Sequence, residues 1–206
     1  MKRLIISEGS HDNLFISTLF KSKLHKNESI IKRFDQYNHD KMAELKHKQQ
    51  VCLSSFYEST SPYEILIKTE AGKNKIAPVI QSELSYLCEL KLDPIIMIDL
   101  DNYNEPDEFV YNIKTRIETK FRNLNINISI NLKEAENQNA IMSSLKLYKD
   151  NNFLSTMYVI SIKTSLETLI NGLDGSDITK QQELVSNFLK NDTTMYPLFT
   201  RAMNNL

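Results

Sequence analysis

Cysteine is nearly absent. The two in 206 residues, Cys52 and Cys88, form no CxxC and lie beside no paired histidine, so neither a zinc framework nor a disulfide scaffold is indicated. They read as buried thiols of a reducing compartment. Long apolar runs are missing too: none approaches the roughly eighteen residues of a membrane span, and Lys2-Arg3 leads into an apolar segment too short for a secretory core. These absences point to a cytoplasmic protein without membrane contact. Excess positive charge is lacking as well, with 25 Lys and Arg against 26 Asp and Glu for a net charge of -1. That balance argues against coating nucleic acid by a general positive field, because phosphate binding draws heavily on Lys and Arg. No internal repeat or low-complexity tract is visible, although Asn, Lys and Ile are abundant.

Charged residues make up 25% of the chain, which is ordinary for a folded domain, and the length suits one domain with appendages. Lysines are locally concentrated. Lys21, Lys23 and Lys26 follow the first helical pattern, and Lys41, Lys46, His47 and Lys48 lie in a polar helical stretch. Each group reads as a solvated face or as a phosphate contact.

The periodicities alternate between strand and helix. Residues 3–7 form a short apolar strand. From Asp12 to about Lys23, Leu14, Phe15, Leu19 and Phe20 recur at helical spacing, with Ser10 or Asp12 available as N-cap. Residues 28–60 read as an insertion, with a short element around Ile30, Ile31 and Phe34 and a polar helix over 39–54. Tyr63 to Thr69 is the second core strand. It enters the turn Ala71-Gly72-Lys73-Asn74-Lys75 and then a helix from about Ile76 to Leu90, which tolerates Pro78 in its first turn. Ile95 to Asp99 is the third core strand. Asp107 begins a helix carrying Phe109, Val110, Ile113, Ile117 and Phe121. Asn125 to Leu132 alternates strictly, as a half-buried strand at a sheet margin does. Ala135 to Tyr148 reads as helix and Met157 to Ile162 as strand. Residues 177–206 read as one or two helices with the apolar stripe Leu184, Val185, Phe188 and Leu189.

The expected fold is therefore α/β: a mainly parallel central sheet flanked by helices, with the first and third core strands side by side. Residues 1–170 form the main domain and 171–206 a helical extension.

Two of the core strands end in carboxylates. Leu4-Ile5-Ile6-Ser7-Glu8-Gly9 is followed by Asp12, and about ninety residues further on comes Ile95-Ile96-Met97-Ile98-Asp99-Leu100-Asp101. Strand ends are where open α/β sheets bind ligands. Side chains alternate along an extended strand, so Asp99 and Asp101 are expected on one side, with Glu8 on a neighbouring strand facing them. Gly9 suits the sharp turn after Glu8, since glycine accepts conformations and close approaches that a side chain blocks. Ser165-Leu166-Glu167 places another acid just past a strand. Mg²⁺ takes a few carboxylates together with waters and phosphate oxygens, so converging acids leave positions open for a phosphorylated substrate.

The paired motifs resemble the Toprim domain, the topoisomerase-primase metal fold also found in OLD-family nucleases and small maturation ribonucleases. By that resemblance Glu8 matches the family glutamate, Gly9 the glycine after it, and Asp99 and Asp101 the DxD pair. Asp12 matches the extra acid of nuclease-type members. Gly72-Lys73 matches a loop after the second strand, and Glu167 an acid that completes the metal site. The resemblance implies Mg²⁺ or Mn²⁺ bound by Glu8, Asp12, Asp99, Asp101 and Glu167. It also implies catalytic roles for Glu8, Asp99, Asp101 and Lys73, with Glu8 acting as ligand or as acid-base group. The chain is too short for the further domains of a topoisomerase or primase, so the resemblance implies a small standalone nuclease acting on DNA or on structured RNA such as tRNA. Such enzymes often work beside an ATPase partner in phage defence, and self-association into a homodimer is left open.

Simpler roles compete at several positions. Asp12 also suits a helix cap, Glu167 a first-turn acid favoured by the helix dipole, and Lys73 a solvated turn lysine. His11 is either a phosphate contact or merely exposed. Two other functions use the same residues. One is a haloacid-dehalogenase-type phosphatase with Asp99 as nucleophile and Asp101 as acid-base group, and the other is a module that binds nucleic acid or a partner and cuts nothing.

Overall fold

The computed structural model describes residues 2–24, 31–34, 56, 62–70, 72–89, 93–101 and 106–204. The elements are β1 (Arg3–Ser7), α1 (Ser10–Ser22), β2 (Ile31–Phe34), β3 (Ile65–Thr69), α2 (Lys73–Glu89), β4 (Ile95–Asp99), α3 (Asp107–Lys120), β5 (Ile126–Glu136), β6 (Ala140–Lys149), β7 (Asn152–Ile162), α4 (Leu166–Leu169), α5 (Ile178–Asn191) and α6 (Met195–Asn204). Among the described residues seven strands form one sheet in the order β2-β3-β1-β4-β7-β6-β5. The neighbours from β2 through β7 are parallel, and β6 and β5 join antiparallel. This is a Rossmann-like α/β architecture with a mainly parallel sheet, and the first and third core strands, β1 and β4, are adjacent.

β1, β3 and β4 are buried at every residue, as parallel strands covered on both faces are. Alternation along them divides the core in two. Leu4, Ile6, Leu66, Ile96 and Ile98 pack under α2 and α3 through Ile76, Ile80, Leu84, Val110, Ile113 and Ile117. On the other face, Ile5, Ile65, Ile67, Ile95 and Met97 meet α1, α5 and α6 through Phe15, Ile16, Leu19, Val185, Leu189, Leu198 and Phe199. The C-terminal stripe thus joins the core under α1. At the opposite end of the sheet from the acid motifs, Asp93 accepts hydrogen bonds from Ser155 Oγ at 2.9 Å and Thr156 N at 2.6 Å. Arg3 donates there to Met203 O at 3.2 Å, tying α6 to β1.

Several expectations need correction. Residues 135–148 are not helical: β5 runs on to Glu136 and β6 begins at Ala140. β6 lies between β5 and β7 and is buried on both faces over most of its length, so its sequence carries no alternation and pairing overrides the local preference. α2 begins at Lys73 rather than near Ile76, which puts Pro78 inside the helix, beyond its first turn. The expected insertion over 28–60, its polar helix, Lys26, Lys41, Lys46, His47, Lys48 and Cys52 lie outside the described residues, apart from β2 and Phe56. Among the described residues no helix is long and apolar enough to cross a membrane.

The two glycines of the acid and lysine motifs differ in kind. Gly9 has φ -134° and ψ 167°, extended backbone open to any residue, and a Cβ there would meet Asp12 Oδ2 at an ordinary 3.6 Å. The expected conformational need for glycine is absent at this position. Gly72 has φ +89°, where a side chain is strained even though nothing lies within 4 Å of its added Cβ. Urea denaturation should therefore show Gly72→Ala losing about 1–2 kcal/mol, with Gly9→Ala within about 0.5 kcal/mol of wild type. Equal losses in the two variants would contradict this account.

Candidate functional site

The chain leaves β1 for β2 and β3 on one side of the sheet, then returns past β1 to lay β4 on the other side. The point between β1 and β4 is therefore the topological switch of this sheet, and the crevice beyond their carboxyl ends is where such sheets bind ligands. Glu8 and Asp99 stand at those two ends. A cleft of about 310 Å³ opens there, bordered by Glu8, His11, Asp12, Asp99, Asp101 and Glu167.

Each acid is placed by backbone. Asp12, in the first turn of α1, accepts from the N–H groups of Gly9 at 2.8 Å and Glu8 at 3.2 Å. Gly9 itself is the N-cap, so Asp12 reaches back over the turn in place of the Ser10 or Asp12 cap expected from sequence. Glu8 Oε1 accepts from the Asp99 N–H at 2.5 Å, and the Lys73 N–H also bonds to the Glu8 carboxylate. Asp99 Oδ2 accepts from the Leu166 N–H at 3.2 Å. Asp99 is only 9% exposed, and its buried Oδ1 has no hydrogen-bond partner among the described residues.

Asp101 reaches the cleft differently from the expected pleat alternation. β4 ends at Asp99, and Asp101 sits in a turn at φ 51°, in the left-handed region. Its N–H is tied to Thr164 O at 3.2 Å. The Lys73 ammonium lies over this turn, donating to Asp99 O at 2.5 Å and Asp101 Oδ2 at 3.1 Å. Lys73 is thus paired with the DxD segment, its side chain 22% exposed.

Burial dominates the electrostatics. It pushes Asp99 up to about 7, against the Leu166 hydrogen bond and with help from Glu8, Glu167 and Asp101. Asp12 is raised well above the usual carboxylate range by burial, then by Asp99. Glu8 is raised by burial despite the N–H groups it accepts and nearby Lys73. Glu167 goes the other way: partial burial works to raise it, but the hydrogen bond and charge of His11, with neighbouring donors, hold it below its ordinary value.

His11 is not simply exposed. Its Nδ1 lies 2.6 Å from Glu167 Oε1 and its Nε2 lies 3.1 Å from Gln181 Nε2. Glu167 therefore borders the cleft but spends an oxygen on His11. Gln181 carried no sequence signal, since a glutamine on an amphipathic helix reads as surface. A second network was equally hidden: Lys68 and Glu70, both buried beside the site on β3 and just past it, pair at 2.6 Å. Among the described residues no three His, Cys, Asp or Glu side chains converge closely enough to hold a metal ion as they stand. The predicted acids share one cleft without forming a closed cage.

No family model and no curated protein matches the chain. Among solved structures it is similar to a de novo designed protein of P-loop NTPase fold determined by NMR, at 12% identity and a TM-score of 0.34, over 92% of this chain and 91% of that one. So slight a likeness carries no functional information.

Proposed function

We propose that the chain is a small Toprim-like nuclease that hydrolyses phosphodiester bonds of DNA or structured RNA such as tRNA, with Mg²⁺ or Mn²⁺ held by Glu8, Asp99 and Asp101. The carrying observation is Asp99 Oδ1, a buried carboxylate oxygen with no partner among the described residues, at the head of an acid-lined cleft. Leaving such an atom unpaired is costly, and a hard cation is a natural partner for it. The donor set is all oxygen, which suits Mg²⁺ or Mn²⁺. Asp12 and Glu167 are the remaining candidate ligands; their existing bonds to backbone and to His11 favour supporting roles. When bound, the ion supplies positive charge to the phosphate and polarises an attacking water.

The protein's own groups complete the reading. Lys73, held between the Asp99 carbonyl and Asp101, is poised to take a phosphate oxygen. Glu8, with raised proton affinity, serves as ligand or as proton carrier. Work beside an ATPase partner in phage defence, assembly as a homodimer and a cytoplasmic location belong to the same proposal.

The direct test assays supercoiled plasmid, single-stranded DNA and bulk tRNA with Mg²⁺, Mn²⁺ or EDTA, adding candidate ATPase partners. Glu8→Gln and Asp99→Asn should each reduce cleavage by at least about 10²-fold. Glutamine is the better probe at position 8, because alanine strands the Asp99 N–H and costs about 1–3 kcal/mol of stability. Cleavage that survives EDTA or Glu8→Gln defeats the mechanism. Phosphate release from monoesters that needs Asp99 and not Glu8 would instead assign a phosphatase, and binding without cleavage a non-catalytic module.

Stability gives a second check. A carboxyl whose proton affinity rises on folding favours the native state at pH below its unfolded value, and that contribution is lost as pH rises through about 7 for Asp99. Asp99→Asn should therefore stabilise the metal-free protein by on the order of 1–3 kcal/mol at pH 8. The gain should shrink steadily to nothing near pH 4. Added Mn²⁺ should raise the melting temperature of the wild type at pH 8 and leave that of Asp99→Asn almost unmoved.

A further inference from the structure

We infer that the ion pair Lys114–Glu118 guards the outer edge of β5 by standing in for a neighbouring strand, and that a second copy's β5 pairs with this edge once the guard is removed. β5 ends the sheet among the described residues. Along an antiparallel strand, residues that turn their N–H and C=O toward one neighbour alternate with residues that turn both away. Asn125 O takes the Asp150 N–H at 3.3 Å, on the β6 side. Ile126, Ile128 and Ile130 are then the residues whose backbone groups face outward. Ile128 shows this directly: its N–H donates to Glu118 Oε1 at 3.2 Å, and its C=O accepts from Lys114 Nζ at 2.9 Å. One acceptor and one donor at a single residue is what the opposed residue of a further strand would supply. The two side chains also pair with each other along α3. Lys114 precedes Glu118, the less favourable order for such a pair in a helix by itself, which points to the strand as the beneficiary.

The edge needs such a guard. From Ile126 to Leu132 it carries no charge, proline or glycine, the composition that adds strands readily. A bulge between Asn131 and Ala135 ends the regular stretch. Antiparallel pairing of two copies about Ile128 sets Ile126 against Ile130 and Asn127 against Ser129, so no like charges are opposed. Asn127 and Ser129 are exposed. A groove of about 740 Å³ between α3 and the start of β5, bordered by Glu118, Ile126 and Asn127, gives an incoming strand access. A two-fold contact of this kind uses the same patch on both copies, which commits the edge to a second copy of this chain. The inference stands apart from the chemistry proposed for the acid cleft.

The test compares the full chain with its Lys114→Ala, Glu118→Ala double variant by sedimentation velocity over a concentration series. As concentration rises, the double variant is expected to form a species of about twice the wild-type mass, beyond any association of the wild type itself. Adding Asn127→Lys and Ser129→Lys, which set lysines of the two copies opposite one another, should abolish that species. Glu118→Gln keeps an oxygen for the Ile128 N–H and should behave as the wild type. Hydrogen exchange locates the contact: in the associated double variant the Ile130 amide should gain protection by about tenfold or more. If the double variant does not fold, Glu118→Ala carries the test alone, since it strips the acceptor from Ile128 and leaves Lys114 in place. A mass equal to that of the wild type at every concentration overturns the inference. Association that survives the two added lysines, or that leaves the Ile130 amide unprotected, also overturns it.

Discussion

Three carboxylates in the cleft each grip the amide of the next element. Asp12 accepts from the Glu8 N–H, Glu8 from the Asp99 N–H, and Asp99 from the Leu166 N–H. The chain of bonds runs from α1 through the end of β1 and the end of β4 to α4. Every other feature of the site depends on it. Backbone donors let acids be buried that would otherwise be unaffordable, because hydrogen bonds to a carboxylate are stronger than those between neutral groups. They do not remove the penalty, however. Asp12, Glu8 and Asp99 all hold their protons more tightly than free carboxyls do, so the bonds fix geometry without neutralising charge. What remains at the site is an ordered deficit of positive charge, which Lys73 meets in part at the DxD turn.

This arrangement requires the strand order. Only with β1 flanked by both β3 and β4 can Glu8 touch the Asp99 amide and the α2 N-terminus together. The register Ser7↔Met97 lets β4 project beyond β1, so the Glu8 side chain meets Asp99 at its backbone. On the far side, β4 continues its contact with β7 past the strand itself, through Leu100 N to Ile162 O and Asp101 N to Thr164 O. The left-handed residue Asp101 is held by this continuation, and a short polar residue such as Asp tolerates that conformation better than a β-branched one.

Much of this was legible in the sequence, for reasons particular to each segment. β1 and β4 read correctly because strands covered on both faces are short unbroken apolar runs, and because each ends abruptly in an acid. β5 read as a margin strand because its polar face alternates cleanly, and it is indeed the edge. β6 is not legible as a strand: buried on both faces between two partners, it shows neither alternation nor a strong strand composition. Glu8, Asp12, Asp99, Asp101 and Glu167 border one cleft, with Lys73 paired to Asp101, and all six stand out in the sequence because acids and a lysine next to strand ends are local patterns. The His11 contacts do not, since Glu167 lies 156 residues away and Gln181 170. Pairings at that separation are made by tertiary packing and leave no periodic trace.

Gln181 also bears on how far the C-terminal segment can be considered apart from the rest. Composition sets 171–206 off as an extension, but its helices share the apolar cluster of α1 and the sheet. Phe188 packs against Phe15 with ring centroids 6.1 Å apart, which sets α5 along α1 and brings Gln181 to the N-terminal end where His11 stands. The same packing that buries Val185 and Leu189 thereby places the Gln181 amide 3.1 Å from His11 Nε2. A group at the edge of the acid cleft is thus held by a helix whose sequence reads only as a hydrophobic stripe, so hydrophobic packing of the extension and geometry at the strand ends are coupled through one amide.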